Sequence, residues 1–206
     1  MPFNSISIDI ETTGLCPTEN EILEIGLVCY NTGEEVKDIP SENLLRLVFV
    51  KENYNVSPEV LKMHSKLFEE ILEAKKQLQK NRQNILKRDF TSYLYVESVD
   101  HIAVETLIEI FLDKNGYGTE DKVIVTGKNF ASFDLRFMER IPFLERLIAR
   151  FSHKFLDPGS LFLTLEDTEV PGLYDCMQRS SIDSDVDHTS IQDAIDTLNC
   201  VKNKLN

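Results

Sequence analysis

Two carboxylates stand two residues apart in Ser7-Ile8-Asp9-Ile10-Glu11-Thr12-Thr13-Gly14-Leu15, within an apolar run near the start of the chain. Side chains alternate faces along a β-strand, so Asp9 and Glu11 would share one side while Ile6, Ile8 and Ile10 take the other. Anions placed side by side repel unless a cation lies between them. Taken alone, the pair is more simply the wet face of an amphipathic strand. A chemical reading needs further groups that the fold delivers to the same place.

Three such groups follow: Asp134, His188 and Asp193. With Asp9 and Glu11 they make four carboxylates and one histidine, without cysteine. That is a hard oxygen donor set, suited to Mg²⁺ or Mn²⁺ and poorly to zinc. Two such ions about 4 Å apart can stabilise both the attacking and the leaving oxygen of an in-line phosphoryl displacement. A histidine titrates near neutrality and can take the proton from the attacking water.

The elements that must position these groups are legible in outline. Ser5 to Glu11, Ile22 to Tyr30 and Leu44 to Val50 read as three strands, with a turn at Asn31-Thr32-Gly33. A helical pattern starts at about Pro58, with Ser57 as its cap, and a second helix spans roughly Ile102 to Asp113. Val123-Ile124-Val125 is a short continuous apolar run, as in a strand buried on both faces. Gly127-Lys128 after it does not complete a P-loop, because Lys122 stands where that motif needs glycine. Ser132 can cap a helix that places Asp134 in its first turn; Pro142 interrupts that helix and a new one continues. Phe155-Leu156 reads as a brief strand, and residues 164–187 as a polar, acidic, mobile loop. The last helix runs from about Ser190, with Ile191, Ala194, Ile195, Leu198, Val201 and Leu205 on one stripe and a capping box at Thr189 and Gln192.

At 206 residues the chain suits a single domain spanning 1–206. Strands first, then strands alternating with helices, predict an α/β fold with one mixed sheet covered by helices. The net charge of −13 disfavours a protein that wraps duplex nucleic acid, though a carboxylate pocket holding cations can still grip a few nucleotides. Residues 74–88 invert this balance, with Lys75, Lys76, Lys80, Arg82, Lys87 and Arg88 and no acid. They open an expected basic helical insertion at about 74–97, either a solvated face or an arm for phosphates. No apolar run approaches the length of a membrane helix, no leader pattern precedes the first strand, and Cys16, Cys29, Cys176 and Cys200 are scattered. The expected setting is cytoplasmic and reducing, away from membranes.

Ile8-Asp9-Ile10-Glu11-Thr12-Thr13-Gly14-Leu15, Asn129 through Phe133-Asp134, and His188 followed five residues later by Asp193 resemble, in order, the three motifs of the DEDDh exonucleases. The resemblance implies a ribonuclease H-like fold with a five-stranded mixed sheet flanked by helices. It also implies 3′ to 5′ hydrolysis of single-stranded nucleic acid to nucleoside 5′-monophosphates. Asp9, Glu11, Asp134 and Asp193 would hold two Mg²⁺ or Mn²⁺ ions, with Asp9 between them, and His188 would be the general base. Thr12, Thr13, Gly14 and Leu15 would meet the terminal nucleotide, with a base packed on Leu15. Partners would be single-stranded DNA or RNA 3′ ends, short oligonucleotides among them, and a homodimer is compatible with this reading.

Ile22-Leu23-Glu24-Ile25-Gly26 and Arg140-Ile141-Pro142-Phe143-Leu144-Glu145 leading to Phe155-Leu156-Asp157 are similar to oligoribonucleases. The chain lacks tryptophan, however, and Leu61-Lys62-Met63-His64 is closer to proofreading-type exonucleases. His64 is thereby a candidate for substrate contact, with a structural role as the alternative. Asp157 before Pro158-Gly159 reads as a turn or helix cap rather than a fifth metal ligand. A non-catalytic module that uses the same fold to bind nucleic acid or protein is the competing functional class.

Overall fold

The computed structural model describes residues 4–31, 39–81, 85–87, 93–97, 101–118, 121–182 and 188–205. Its centre is the antiparallel meander of β1 (Asn4–Thr12), β2 (Ile22–Asn31) and β3 (Leu44–Val50). On one side of β1 lie the parallel strands β6 (Val123–Thr126) and β7 (Phe151–Leu156). Beyond β3 lie β4 (Ile85–Lys87) and β5 (Tyr93–Glu97), with β5 parallel to β3 and β4 antiparallel to β5. The order β4-β5-β3-β2-β1-β6-β7 makes a mixed sheet of seven described strands. The mixed α/β architecture agrees with a ribonuclease H-like fold.

Alternation along β1 decides what each face does. Ile6, Ile8 and Ile10 are buried in the main core with Ile25, Leu47 and Phe130. That core lies under α3 (His101–Lys114), α4 (Asp134–Met138) and α5 (Glu145–Ala149), as shown by Leu112, Met138 and Leu147 within it. The opposite face is covered by α2 (Ser65–Asn81) and α8 (Ser190–Leu205). There Leu67, Ile71, Ala74 and Leu78 of α2 pack on Val48 and Val50, and Ile191, Ala194 and Leu198 of α8 pack on Val28 and Tyr30. These are the 3- and 4-residue spacings of an amphipathic helix. Asp9 and Glu11 point to this second face, between the two helices.

The entry to α2 is broken. A short helix α1 (Pro58–Met63) is capped by Ser57, whose side chain accepts the Val60 N–H at 3.3 Å. It ends at His64, where the chain turns before α2 begins. Near the C-terminal end of the sheet, α6 (Pro158–Phe162) and α7 (Leu173–Arg179) pack against α8 through Phe162, Cys176, Met177 and Cys200.

Several expectations need correction. The sheet has two strands more than the five expected, both added at the β3 edge. The basic insertion is not helical throughout: α2 ends at Asn81, and β4 and β5 follow in the sheet. The expected loop at 164–187 contains α7, because Cys176 and Met177 find apolar partners on α6 and α8; residues 183–187 lie outside the described residues. Ser132 does not cap α4, since its hydroxyl donates to the Asn129 carbonyl and Phe133 holds the cap position. Gln192 donates to Asp196 at 3.0 Å rather than reaching back toward Thr189. Among the described residues, no helix is long and apolar enough to cross a membrane.

Candidate active site

Strand β1 delivers the first two carboxylates, and α8 delivers the third. Asp193 lies in the first turn of α8, which is set close to the sheet because Ser7 Oγ donates to the Ala194 carbonyl at 2.7 Å and because Gly26 leaves space beneath Ser190. A Cβ at Gly26 would stand 2.5 Å from the backbone of Ser190, so only glycine admits this approach. Gly26 is the cross-strand neighbour of Asp9. The result is that carboxylate oxygens of Asp9, Glu11 and Asp193 lie within 4.8 Å of one another.

Asp134 reaches the same strand from the other side. It opens α4 and accepts the Ile10 N–H at 3.1 Å, which ties this helix to β1 between the two acidic positions. Its charge acts on both Asp9 and Glu11. The turn that carries Asp134 is fixed from below by Asp157, whose Oδ2 accepts the Asn129 N–H at 2.8 Å while Oδ1 accepts the Gly159 N–H at 2.7 Å. Asp157 is therefore the cap of α6, as its sequence context suggested. Asn129 is in the left-handed region, with φ of 58°, a conformation that asparagine tolerates better than most residues.

The electrostatics are those of an acidic cluster poised for a cation. Burial, then the charges of Asp134, Glu11, Asp193 and Glu24, hold the Asp9 carboxyl well above the usual carboxylate range. Burial pushes Glu11 up to about 9, aided by Glu24, Asp193 and Asp134 and opposed by Arg46. Asp134 is pushed up to about 8, chiefly by burial and against its own backbone hydrogen bonds. Oxygen-only donors at this spacing fit divalent Mg²⁺ or Mn²⁺.

Two histidines border the cluster. His64, at the end of α1, is 5% exposed, and its Nε2 lies 3.5 Å from Glu11 Oε2. Burial, then the charge of His188, hold its imidazole below the ordinary value. His188 is exposed and stands two residues before α8, with φ of 50°. The turn after β1 is a closed loop: Thr13 N–H donates to the Glu21 carbonyl at 2.8 Å, Glu21 N–H returns to Thr13 Oγ1 at 3.0 Å, and Thr12 Oγ1 donates to the Gly14 carbonyl at 2.7 Å. Leu15 projects from it, 85% exposed.

Residues 6–92 match the RNase T exonuclease family. The match, over less than half of the chain, supports a nuclease hydrolase, and the cluster of Asp9, Glu11 and Asp193 could hold a metal ion. The matched stretch contains β1 with Asp9 and Glu11, the following turn and His64; Asp134, His188 and Asp193 lie beyond it. Comparison with curated proteins gives no match.

Two residues at this candidate site were not singled out from sequence. Glu24 lies opposite Glu11 in the β1–β2 pair, and Arg46 lies opposite Gly26 on β3. Their signal was present: each is a charged residue inside a strand whose neighbours are apolar on both sides. The basic stretch shows its own pairing, with Lys75 bound to Glu52 and Lys76 to Glu73, at 3.1 and 3.7 Å. Arg82 and Arg88 lie outside the described residues.

Proposed function

We propose that the protein is a 3′ to 5′ exonuclease of the DEDDh type, which hydrolyses single-stranded nucleic acid or short oligonucleotides to nucleoside 5′-monophosphates. The observation that carries this reading is the convergence of Asp9, Glu11 and Asp193 from two distant parts of the chain within 4.8 Å. Asp9, Glu11, Asp134 and Asp193 would hold two Mg²⁺ or Mn²⁺ ions. When bound, the ions neutralise the carboxylates and offset the charge that builds on the scissile phosphate.

The protein's own groups do the rest. His188 is the general base: it takes the proton from the water that attacks phosphorus, and its exposure leaves it free to pass that proton to solvent. The bond from phosphorus to the 3′ oxygen of the preceding nucleotide breaks as the new bond forms. The turn of Thr12, Thr13, Gly14 and Leu15 receives the terminal nucleotide, with its internal hydrogen bonds holding Leu15 out as an apolar surface for a base. His64 borders the same space beside Glu11 and serves the bound end of the strand. All four cysteines are free thiols, in keeping with a reducing cytoplasmic setting.

The test is incubation of purified protein with 5′-labelled single-stranded RNA and DNA oligomers, with and without Mg²⁺ or Mn²⁺. Metal-dependent shortening from the 3′ end with release of 5′-monophosphates is expected, abolished in Asp9→Ala and reduced roughly 10²- to 10⁴-fold in His188→Asn. If the wild-type protein binds such oligomers yet shortens none of them with either metal, it is a non-catalytic binding module.

A further inference from the structure

Glu24 faces Glu11 across β1 and β2 and is fully buried. Both of its oxygens are engaged. Oε1 accepts the Ser190 N–H at 2.7 Å; Oε2 accepts Arg46 Nε at 2.7 Å, with Arg46 Nη2 also against it. Arg46 in turn donates to Glu70 Oε2 at 2.9 Å, and Tyr95 Oη donates to the same oxygen at 3.1 Å.

A buried carboxylate that acts on the like charges of Asp9 and Glu11 is an expensive way to fill space, and an apolar pair of similar volume would serve packing as well. What the carboxylate adds is an acceptor for Ser190 N–H. This is among the first amides of α8, which the helix cannot satisfy internally. Ser190 stands one turn before Asp193 and two residues after His188. His188 occupies the left-handed region without being glycine, a conformation that persists only where the flanking chain is held. Thr189 accepts the Asp193 N–H at 2.9 Å within the helix start, and the bond from Ser190 to Glu24 ties that start to the sheet.

We propose that Glu24 is a positioning residue: through the Ser190 N–H it fixes the start of α8, which aligns Asp193 with Asp9 and sets the place of His188, while Arg46 balances the buried Glu24 charge. The inference rests on the nuclease reading of the site and gives that reading a part that no metal ligand or base supplies.

The test compares two double variants that differ only in the acceptor. In Glu24→Gln with Arg46→Met, the amide oxygen can still take the Ser190 N–H; in Glu24→Leu with Arg46→Met, nothing can. Both remove the ion pair together, so neither leaves a lone buried charge, and both relieve the acidic cluster equally. The leucine variant is expected to lose kcat about 10- to 100-fold with KM little changed, while the glutamine variant keeps most of the wild-type rate. Exchange of the Ser190 amide with solvent should be fast only in the leucine variant. Equal kcat in the two folded doubles, or a protected Ser190 amide in both, overturns the proposal and leaves the pair as core filling. Wild-type hydrolysis is measured alongside, so failure of the nuclease reading shows in the wild type and not in this comparison.

Discussion

His64 presents its Nε2 to Glu11 at 3.5 Å from the end of α1. The buried imidazole is held below its ordinary pKa, and its Nε2 is placed to donate to Glu11 when a bound metal ionises that carboxyl. Partners that orient a metal-binding carboxylate are typically worth about 10- to 100-fold in metal affinity or activity. His64→Ala is therefore expected to weaken Mn²⁺ binding by about that factor, with a smaller loss in His64→Gln, read by a binding isotherm. Unchanged Mn²⁺ affinity in the alanine variant would assign His64 to the substrate alone.

The raised carboxyl groups make stability depend on pH with a definite sign. Glu11 moves from an ordinary 4.5 to about 9, and Asp134 from 3.8 to about 8. Between those limits the metal-free folded protein binds more protons than the unfolded chain, so stability falls as pH rises through the window and is greatest below it. The melting midpoint of metal-free protein should decline from about pH 5 to pH 9. Mg²⁺ or Mn²⁺ should reverse the decline and release protons on binding, because bound carboxylates must be ionised. A midpoint that rises over this range without metal would contradict the buried acidic cluster.

Sequence alone revealed the parts of the site that are local and missed those that are not. Asp9, Glu11 and the turn after them form one contiguous stretch, and Asp134 and Asp193 each sit at a helix start, so short-range pattern was enough. Glu24 and Arg46 meet across strands, and a lone arginine in a strand reads as a solvent face until its partner is known. The helix α7 was hidden for the same reason: its apolar residues Leu173, Cys176 and Met177 are few, and part of their support comes from Cys200 on α8. The basic run carries no turn signal, so its sequence reads as a helical continuation where β4 and β5 stand. Only pairing with β3 converts Tyr93–Glu97 into sheet, with Leu94, Tyr95 and Val96 buried. The ion pairs of Lys75 and Lys76 with Glu52 and Glu73 favour a solvated face for the end of α2, since phosphates would have to displace those acids.

The closeness of α8 to the sheet is the feature on which the carboxylate cluster depends, and Gly26 sets it. A methyl group there would come within 2.5 Å of the Ser190 carbonyl and 2.7 Å of the Ile191 nitrogen, backbone atoms that cannot swing aside as a side chain could. The helix must lift or tilt, and since Asp9 lies opposite Gly26, the separation of Asp9 from Asp193 grows where the shift is largest. Overpacking of this kind typically costs about 1–3 kcal/mol. In a chain of this size that lowers the melting midpoint by about 2–4 °C for each kcal/mol. Gly26→Ala should therefore melt earlier and bind Mn²⁺ more weakly even at temperatures where it is fully folded. A variant that melts earlier yet binds Mn²⁺ as the wild type does would show that Asp193 reaches Asp9 by some route other than the seating of α8 on Gly26.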